Sequence, residues 1–210
     1  MENLDRFILL IQEYAHNGSL QLDLDKKFKY TDLQAIICVK QILNALLFMH
    51  RNHILYRDLK SENILLSFGI IKITDFGCSV YNYQQQRRTF CGTVDYMSPE
   101  IAQGQYYGQS VDMWSLGVLT YYILTGIQPF QQSTKNDTLQ CIINKQNISF
   151  PSYVSCLAQD FIQKLLVKDP EFRMNIEEAV NHEWINQNIN YYIQENWSMD
   201  ITQQTMQLVK

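Results

Sequence analysis

Residues 56–66, YRDLKSENILL, set Tyr56, Arg57, Asp58, Lys60, Glu62 and Asn63 beside a short apolar run, Ile64-Leu65-Leu66. Charges at the foot of a buried strand need partners, because an unpaired buried charge is costly. The runs NILLS at 63–67 and IIKIT at 70–74, joined through Phe68-Gly69, read as a hairpin with Asp75 immediately after its second strand. A loop, a hairpin and a second loop can bring Asp58, Asn63 and Asp75 into one cleft. Oxygen ligands from Asn63 and Asp75 suit Mg²⁺, which takes one or two protein oxygens and fills its shell with phosphates and water. Asp58 is then placed to accept a proton from an attacking hydroxyl. Lys60 can turn its ammonium toward a transferring phosphoryl group, and the set suits phosphoryl transfer.

The 210 residues are 46% hydrophobic and 18% charged, enough for one sizeable core. Seventeen basic against twenty-one acidic residues give a net charge of −4, and no basic tract appears. Neither nucleic acid nor an acidic membrane surface is suggested as a partner. Five cysteines (Cys38, Cys78, Cys91, Cys141, Cys156) are scattered without a CxxC pair, which suits a reducing compartment better than disulfides or zinc. The opening MENLDRFILLIQEYA has no basic n-region and does not read as a signal peptide. Residues 113–130, MWSLGVLTYYILTGIQPF, lack charges, but their threonines, glycines, proline and tyrosines favour a buried globular helix over a membrane span. These features point to an intracellular protein, in the cytoplasm or nucleus.

Along the chain, RFILLIQEYA at 6–15 suits a buried strand and NGS at 17–19 a turn. From Thr31, an N-cap residue, TDLQAIICVKQILNALLFMHRNH reads as a long, largely buried helix. Residues 75–100 have no good periodicity, and so long an irregular stretch in a compact domain is usually functional. Helical patterns follow at about 110–125, 135–146, 155–168 and 175–184, and the Gln- and Asn-rich tail beyond Trp184 is poorly patterned. The fold class is α+β, mainly α, with a few strands confined to the first third. The four histidines share no spacing that suits a metal and read as loop or packing residues.

YRDLKSEN at 56–63, DFG at 75–77 and SPE at 98–100 resemble, in order, the signature set of protein kinases, with SPE in the place of APE. Asp112 in DMWSLGV, Gly126 with Pro129-Phe130 in GIQPF, and Arg173 in DPEFR extend the likeness over about residues 5–186. Lys60 in DLKxxN is similar to the serine/threonine kinases, and DFGCSV followed by RRTFCGTVDYMSPE resembles the Aurora kinases in particular. The resemblance implies ATP and Mg²⁺, with Asp58 as catalytic base, Lys60 as its phosphate-facing companion, and Asn63 and Asp75 as metal ligands. It implies that Glu13 and Ala15 offer hinge main-chain groups to adenine, that Leu65 forms the apolar floor, and that Gln12 is a polar gatekeeper. It further implies that Thr89 is the activation-loop phosphosite, pairing with Arg57. Thr93 is expected to contact Asp58 and Lys60, and Glu62 to receive an arginine of a protein substrate. Tyr122 stands where some basophilic relatives carry a second acid. Tyr56 replaces the usual histidine and can still pack under Phe76. Ser61 replaces the usual proline and is expected to matter little. Glu100 and Arg173 are expected to form a buried pair.

A kinase also needs a glycine-rich flap, a strand lysine and a helix glutamate. No GxGxxG occurs among the eight glycines, the first lysine is Lys26, and only twelve residues precede Glu13. The sequence therefore reads as a protein-kinase-like C-terminal lobe, a helical bundle with short β-hairpins. The N-terminal lobe is expected to be absent except for its last strand and the hinge at 5–19. The large lobe is expected over 20–186 and a tail over 187–210. Two readings follow: an Aurora-like serine/threonine kinase cut short, whose site an upstream small lobe or an activating partner completes, or a short binding or scaffold module with little catalysis.

Overall fold

The computed structural model describes residues 10–81, 88–89 and 91–187. Helix α1 (Leu20–Lys27) falls where the alternation LQLDLD gives no helical period. Ser19 makes it a helix by accepting the Leu22 amide at 3.2 Å, while Leu20 and Leu24, one turn apart, enter the core. Thr31 caps α2 (Asp32–Arg51) through a reciprocal capping box with Gln34, as its position predicts. By length and composition α2 could cross a membrane, but half of the qualifying window is buried inside the protein.

Beyond α2 come β1 (Ile54–Leu55), then β2 (Ile64–Ser67) and β3 (Ile70–Ile73), the expected hairpin in the register Ile64↔Ile73 to Ser67↔Ile70. Gln41 of α2 fixes its outer edge, donating to the Gly69 carbonyl at 3.2 Å and accepting the Ile71 amide at 3.0 Å. β4 (Val80–Tyr81) pairs antiparallel with β1, so strand extends a little past the first third. Within 75–100 the described chain also holds short 3₁₀ turns at Phe76–Cys78 and Val94–Tyr96.

The remainder is helical: α3 (Pro99–Ala102), α4 (Ser110–Thr125), α5 (Lys135–Asn144), α6 (Cys156–Leu165), α7 (Ile176–Val180) and α8 (Glu183–Asn186). The pattern at 175–184 thus divides in two, because His182 takes an extended backbone and caps α8 by accepting the Trp184 amide. α4 is buried on nearly every face, and a β-carbon on Gly117 would lie 2.8 Å from Leu165 Cβ, so this glycine sets how closely α6 approaches. Arg173 places all five of its N–H groups. Two meet Glu100 at 2.7 and 3.0 Å, and three meet the carbonyls of Val167, Ser110 and Lys168. This is the expected buried pair.

The expected buried strand over 6–15 is not what the described residues show. Leu10–Ala15 has no strand, and Leu10 and Ile11 are 74% and 86% exposed. Among the described residues no strand pairs with this stretch, so its backbone has no ladder to join. Residues 6–9, 82–87 and 90, and the tail beyond Gln187, lie outside the described residues.

Candidate active site

Asp112, fully buried near the start of α4, organises the loop before β2. Its carboxylate accepts the Tyr56 amide at 3.0 Å and the Arg57 amide at 2.7 Å, and His50 Nε2 lies 2.9 Å away. These bonds hold Arg57 in a left-handed backbone conformation (φ 71°), a strain of about 1–3 kcal/mol for a non-glycine residue. The turn so formed delivers Asp58 into the cleft.

Around Asp58 the polar contacts are dense. Lys60 Nζ sits 2.8 Å from Oδ2, and both the hydroxyl and the amide of Thr93 donate to Oδ1, at 3.0 and 3.1 Å. Lys60 also donates to the Thr93 hydroxyl at 2.9 Å, so the three side chains form the expected triangle. Asn63 donates its amide to the Asp58 main-chain carbonyl and to Oδ2, both at 3.0 Å. Burial pushes the Asp58 carboxyl up, but the Lys60 and Thr93 hydrogen bonds, the Lys60 charge and the Asn63 amide outweigh it and hold the group below the usual carboxylate range.

The hairpin carries Asp75 toward the same cleft. Thr74 donates its amide to the Asn63 carbonyl at 3.0 Å, and the Tyr56 hydroxyl donates to the Thr74 carbonyl. The rings of Tyr56 and Phe76 meet edge-on at 5.5 Å, as expected of an aromatic residue at position 56. Asp75 has a left-handed backbone (φ 56°), is exposed, and accepts the Gly77 amide at 3.1 Å. With its amide protons turned to Asp58, Asn63 has its side-chain carbonyl oxygen left for a cation, and Asp75 adds an accessible carboxylate. Two hard oxygen donors fit Mg²⁺. Among the described residues no three or more His, Cys, Asp or Glu gather into a metal cage, so such a cation needs phosphates and water to complete its shell.

The adenine-side candidates share the opposite edge of the hairpin. Ser19 bridges to Leu65, the amides of Asn17 and Leu66 donate to the carbonyls of Leu66 and Gly18, and Glu13 pairs with Lys72 at 3.0 Å. Lys72 is the register partner of half-buried Leu65, which brings Glu13 to the hairpin beside it, and the Ala15 carbonyl accepts the Gly18 amide at 3.3 Å. Gln12 is exposed.

On the far side of Asp58, Gly92 has φ 99°, and a β-carbon there would lie 2.7 Å from the Arg57 carbonyl oxygen. Main chain touches main chain at this point. Arg57 donates to the Cys78 carbonyl and the Tyr107 hydroxyl, and Thr89 is exposed. Burial pushes the Cys91 thiol up in spite of Arg57 nearby.

Sequence reasoning underrated Ser61. It is fully buried, and its hydroxyl lies 2.6 Å from Gln21 Oε1, 3.1 Å from Glu62 Oε2 and 3.2 Å from the Tyr96 hydroxyl. Gln21 in turn donates to the Tyr122 hydroxyl at 3.0 Å, so Tyr122 is wired to the Glu62 side of the cleft. Asp95 was missed altogether. Burial first, and then the charge of Glu62, push its carboxyl up against the pull of Lys135. Two acids therefore face the same rim, and only the proximity of Val94–Tyr96 to Thr93 hinted at it.

Comparison with known proteins bears on this geometry directly. The protein kinase domain family matches residues 1–185. The chain is 41% identical over 186 residues to an Aurora kinase of Eremothecium gossypii, covering 88% of this chain and 50% of that protein. It is 40% identical over 182 residues to an Aurora kinase of Schizosaccharomyces pombe, covering 86% and 51%. Aurora kinase A-A of Xenopus laevis is 40% identical over 182 residues, covering 86% and 44%. The chain spans about half the length of these curated relatives. With the family match running through the Asp58 loop, the hairpin and the helices beneath them, the chain belongs to the protein kinase family.

Proposed function

We propose that this chain carries the catalytic and activation loops of an Aurora-like serine/threonine protein kinase, which moves the γ-phosphate of ATP to serine or threonine hydroxyls of a protein substrate. The observation that carries the proposal is the Asp58 carboxylate, kept ionised and flanked by Lys60, Thr93 and Asn63 within 3.1 Å. Asp58 is the group that takes the hydroxyl proton, and Thr93 and Lys60 hold it in place. Lys60 offers its charge to the phosphoryl oxygens. Asn63 and Asp75 hold Mg²⁺, which neutralises phosphate charge when bound. Glu13 and Ala15 supply the hinge and Leu65 the floor for adenine. Glu62 and Asp95 favour a cationic side chain on the substrate. A lobe kept only for binding has no use for the Asp58–Lys60–Thr93 triangle, which weighs against the scaffold reading.

In this assignment residues 5–19 are the small-lobe end of the chain with the hinge, 20–186 the large lobe and 187–210 a tail. Thr89 is the phosphosite of the activation segment, the stretch between Asp75 and Pro99, and Arg57 is the phosphate's partner. The test is phosphate transfer from labelled ATP to a serine peptide with upstream arginines, by the natural gene product. Asp58→Asn is expected to lower turnover by roughly 10²–10⁴-fold. Turnover within tenfold of the unaltered protein would refute the assignment.

A further inference from the structure

Two parts of the activation segment converge on one guanidinium. Arg57 donates Nε–H to the Cys78 carbonyl at 2.6 Å and Nη1–H to the Tyr107 hydroxyl at 2.8 Å. That hydroxyl then donates to the Thr89 carbonyl at 2.8 Å. Next to it, Arg88 donates Nε–H to the Gly104 carbonyl at 2.9 Å, and its guanidinium lies 5.1 Å from the centre of the Tyr106 ring. Residues 88–89 are thus held against the turn between α3 and α4. The Tyr107 ring is buried with Leu55, Met97, Ile101 and Val111, which gives its hydroxyl a fixed place.

We propose that Tyr107 is a positioning residue: by relaying Arg57 to the Thr89 carbonyl, its hydroxyl latches the activation segment in place without a phosphate. A tyrosine hydroxyl can accept one hydrogen bond and donate another, and here it does both. Removing it leaves a buried arginine N–H and a backbone carbonyl without these partners, and such losses cost more than the bonds themselves contribute. A phosphate on Thr89 would offer the same guanidinium an anionic acceptor, adding an attraction between opposite charges that the neutral hydroxyl lacks. Arg57 has N–H groups beyond the two bonded here, so a phosphate can hold the segment through the same guanidinium where the hydroxyl is missing. Phosphorylation adds to a task already performed, and the unphosphorylated chain keeps residues 88–89 tied to the Arg57 turn. The catalytic meaning of the latch rests on the kinase reading, whereas its existence does not.

The test is hydrogen exchange on the full chain with unphosphorylated Thr89. Tyr107→Phe keeps the ring and removes only the oxygen. It is expected to raise exchange at the amides of residues 88–89 and 91–93 at least tenfold, with a much smaller rise in α4. Genetically encoded phosphothreonine at position 89 is expected to return those amides to within threefold of the unaltered protein in the Tyr107→Phe background. Unchanged exchange in Tyr107→Phe overturns the latch, as does an equal rise in α4, which would make the role merely structural. Failure of phosphothreonine to restore protection overturns the shared use of Arg57. The readout needs no turnover, so an intact latch in a protein that transfers no phosphate would count against the kinase reading alone.

Discussion

Asp112 shows how much one side chain can decide. Its two oxygens accept from two successive amides and lie beside His50, all in a space without solvent. Asp112→Asn turns an NH₂ toward groups that are themselves donors. It is expected to cost about 3–5 kcal/mol in urea unfolding, the range for removing one partner of a buried charged network. A loss under 1 kcal/mol would mean that the Arg57 turn is held by something else. Asp58 has a smaller part in stability, with a definite sign. Its folded carboxyl titrates below its unfolded value, so its contribution is present above about pH 4 and is lost as pH falls through the folded value. The identities of Asp58, Lys60, Asn63 and Asp75 were legible because chemistry and spacing coincide within twenty residues. The anchoring by Asp112 was not legible, since its partners lie 55 and 56 residues away. Ser61 looked like a spacer because its partner Gln21 is 40 residues distant.

The elements that sequence periodicity located well are those that carry their own signals. α2 has Thr31 and Gln34 at the right separation, and α4 ends where Gly126 takes a left-handed backbone. α1 was hidden because its alternating leucines and acids mimic a strand, and its helicity depends on Leu20 and Leu24 finding a core made elsewhere. The break between α7 and α8 was hidden because it needs His182 to bond both Trp184 and Asp160. The tie between α3 and the stretch after α6 was foreseen in Glu100 and Arg173. Glu100→Ala is expected to destabilise by about 3–5 kcal/mol, since it strands a fully engaged buried guanidinium. Replacing both residues with methionine is expected to cost less than Glu100→Ala alone. A double methionine variant less stable than Glu100→Ala would show that the lost attraction of the pair, rather than the stranded charge, dominates.

For the molecule as a whole, alkaline pH exposes what the core conceals. Burial pushes the hydroxyls of Tyr30 and Tyr56 well above their usual range, Tyr96 up to about 12 and the Cys38 thiol up to about 12. The unfolded chain gives up these protons at about pH 8.5 for the thiol and 10 for the phenols. Above those values the folded state binds more protons than the unfolded one, so stability falls as pH rises. Lys168 acts oppositely. Burial lowers it to about 8, and stability gains as pH climbs from there toward the ordinary lysine value near 10.4. Unfolding midpoints are expected to change little from pH 8 to about 9.5 and to drop steeply above about 10. Tyrosinate absorbance is expected to rise together with unfolding; buried tyrosines that titrate normally in the native protein would contradict this.

Gly92 makes the cleft unusually easy to silence. Because no side-chain layer separates the segment from the turn at Arg57, a single added methyl at this position acts as a wedge between two main chains. It is expected to part Thr93 from Asp58, because the atoms it meets first belong to Arg57 and Asp58 and none to α2 or α6. Durability and chemistry are separable here by one carbon atom, and a mute copy of the protein would still present its outer shape to whatever recognises it.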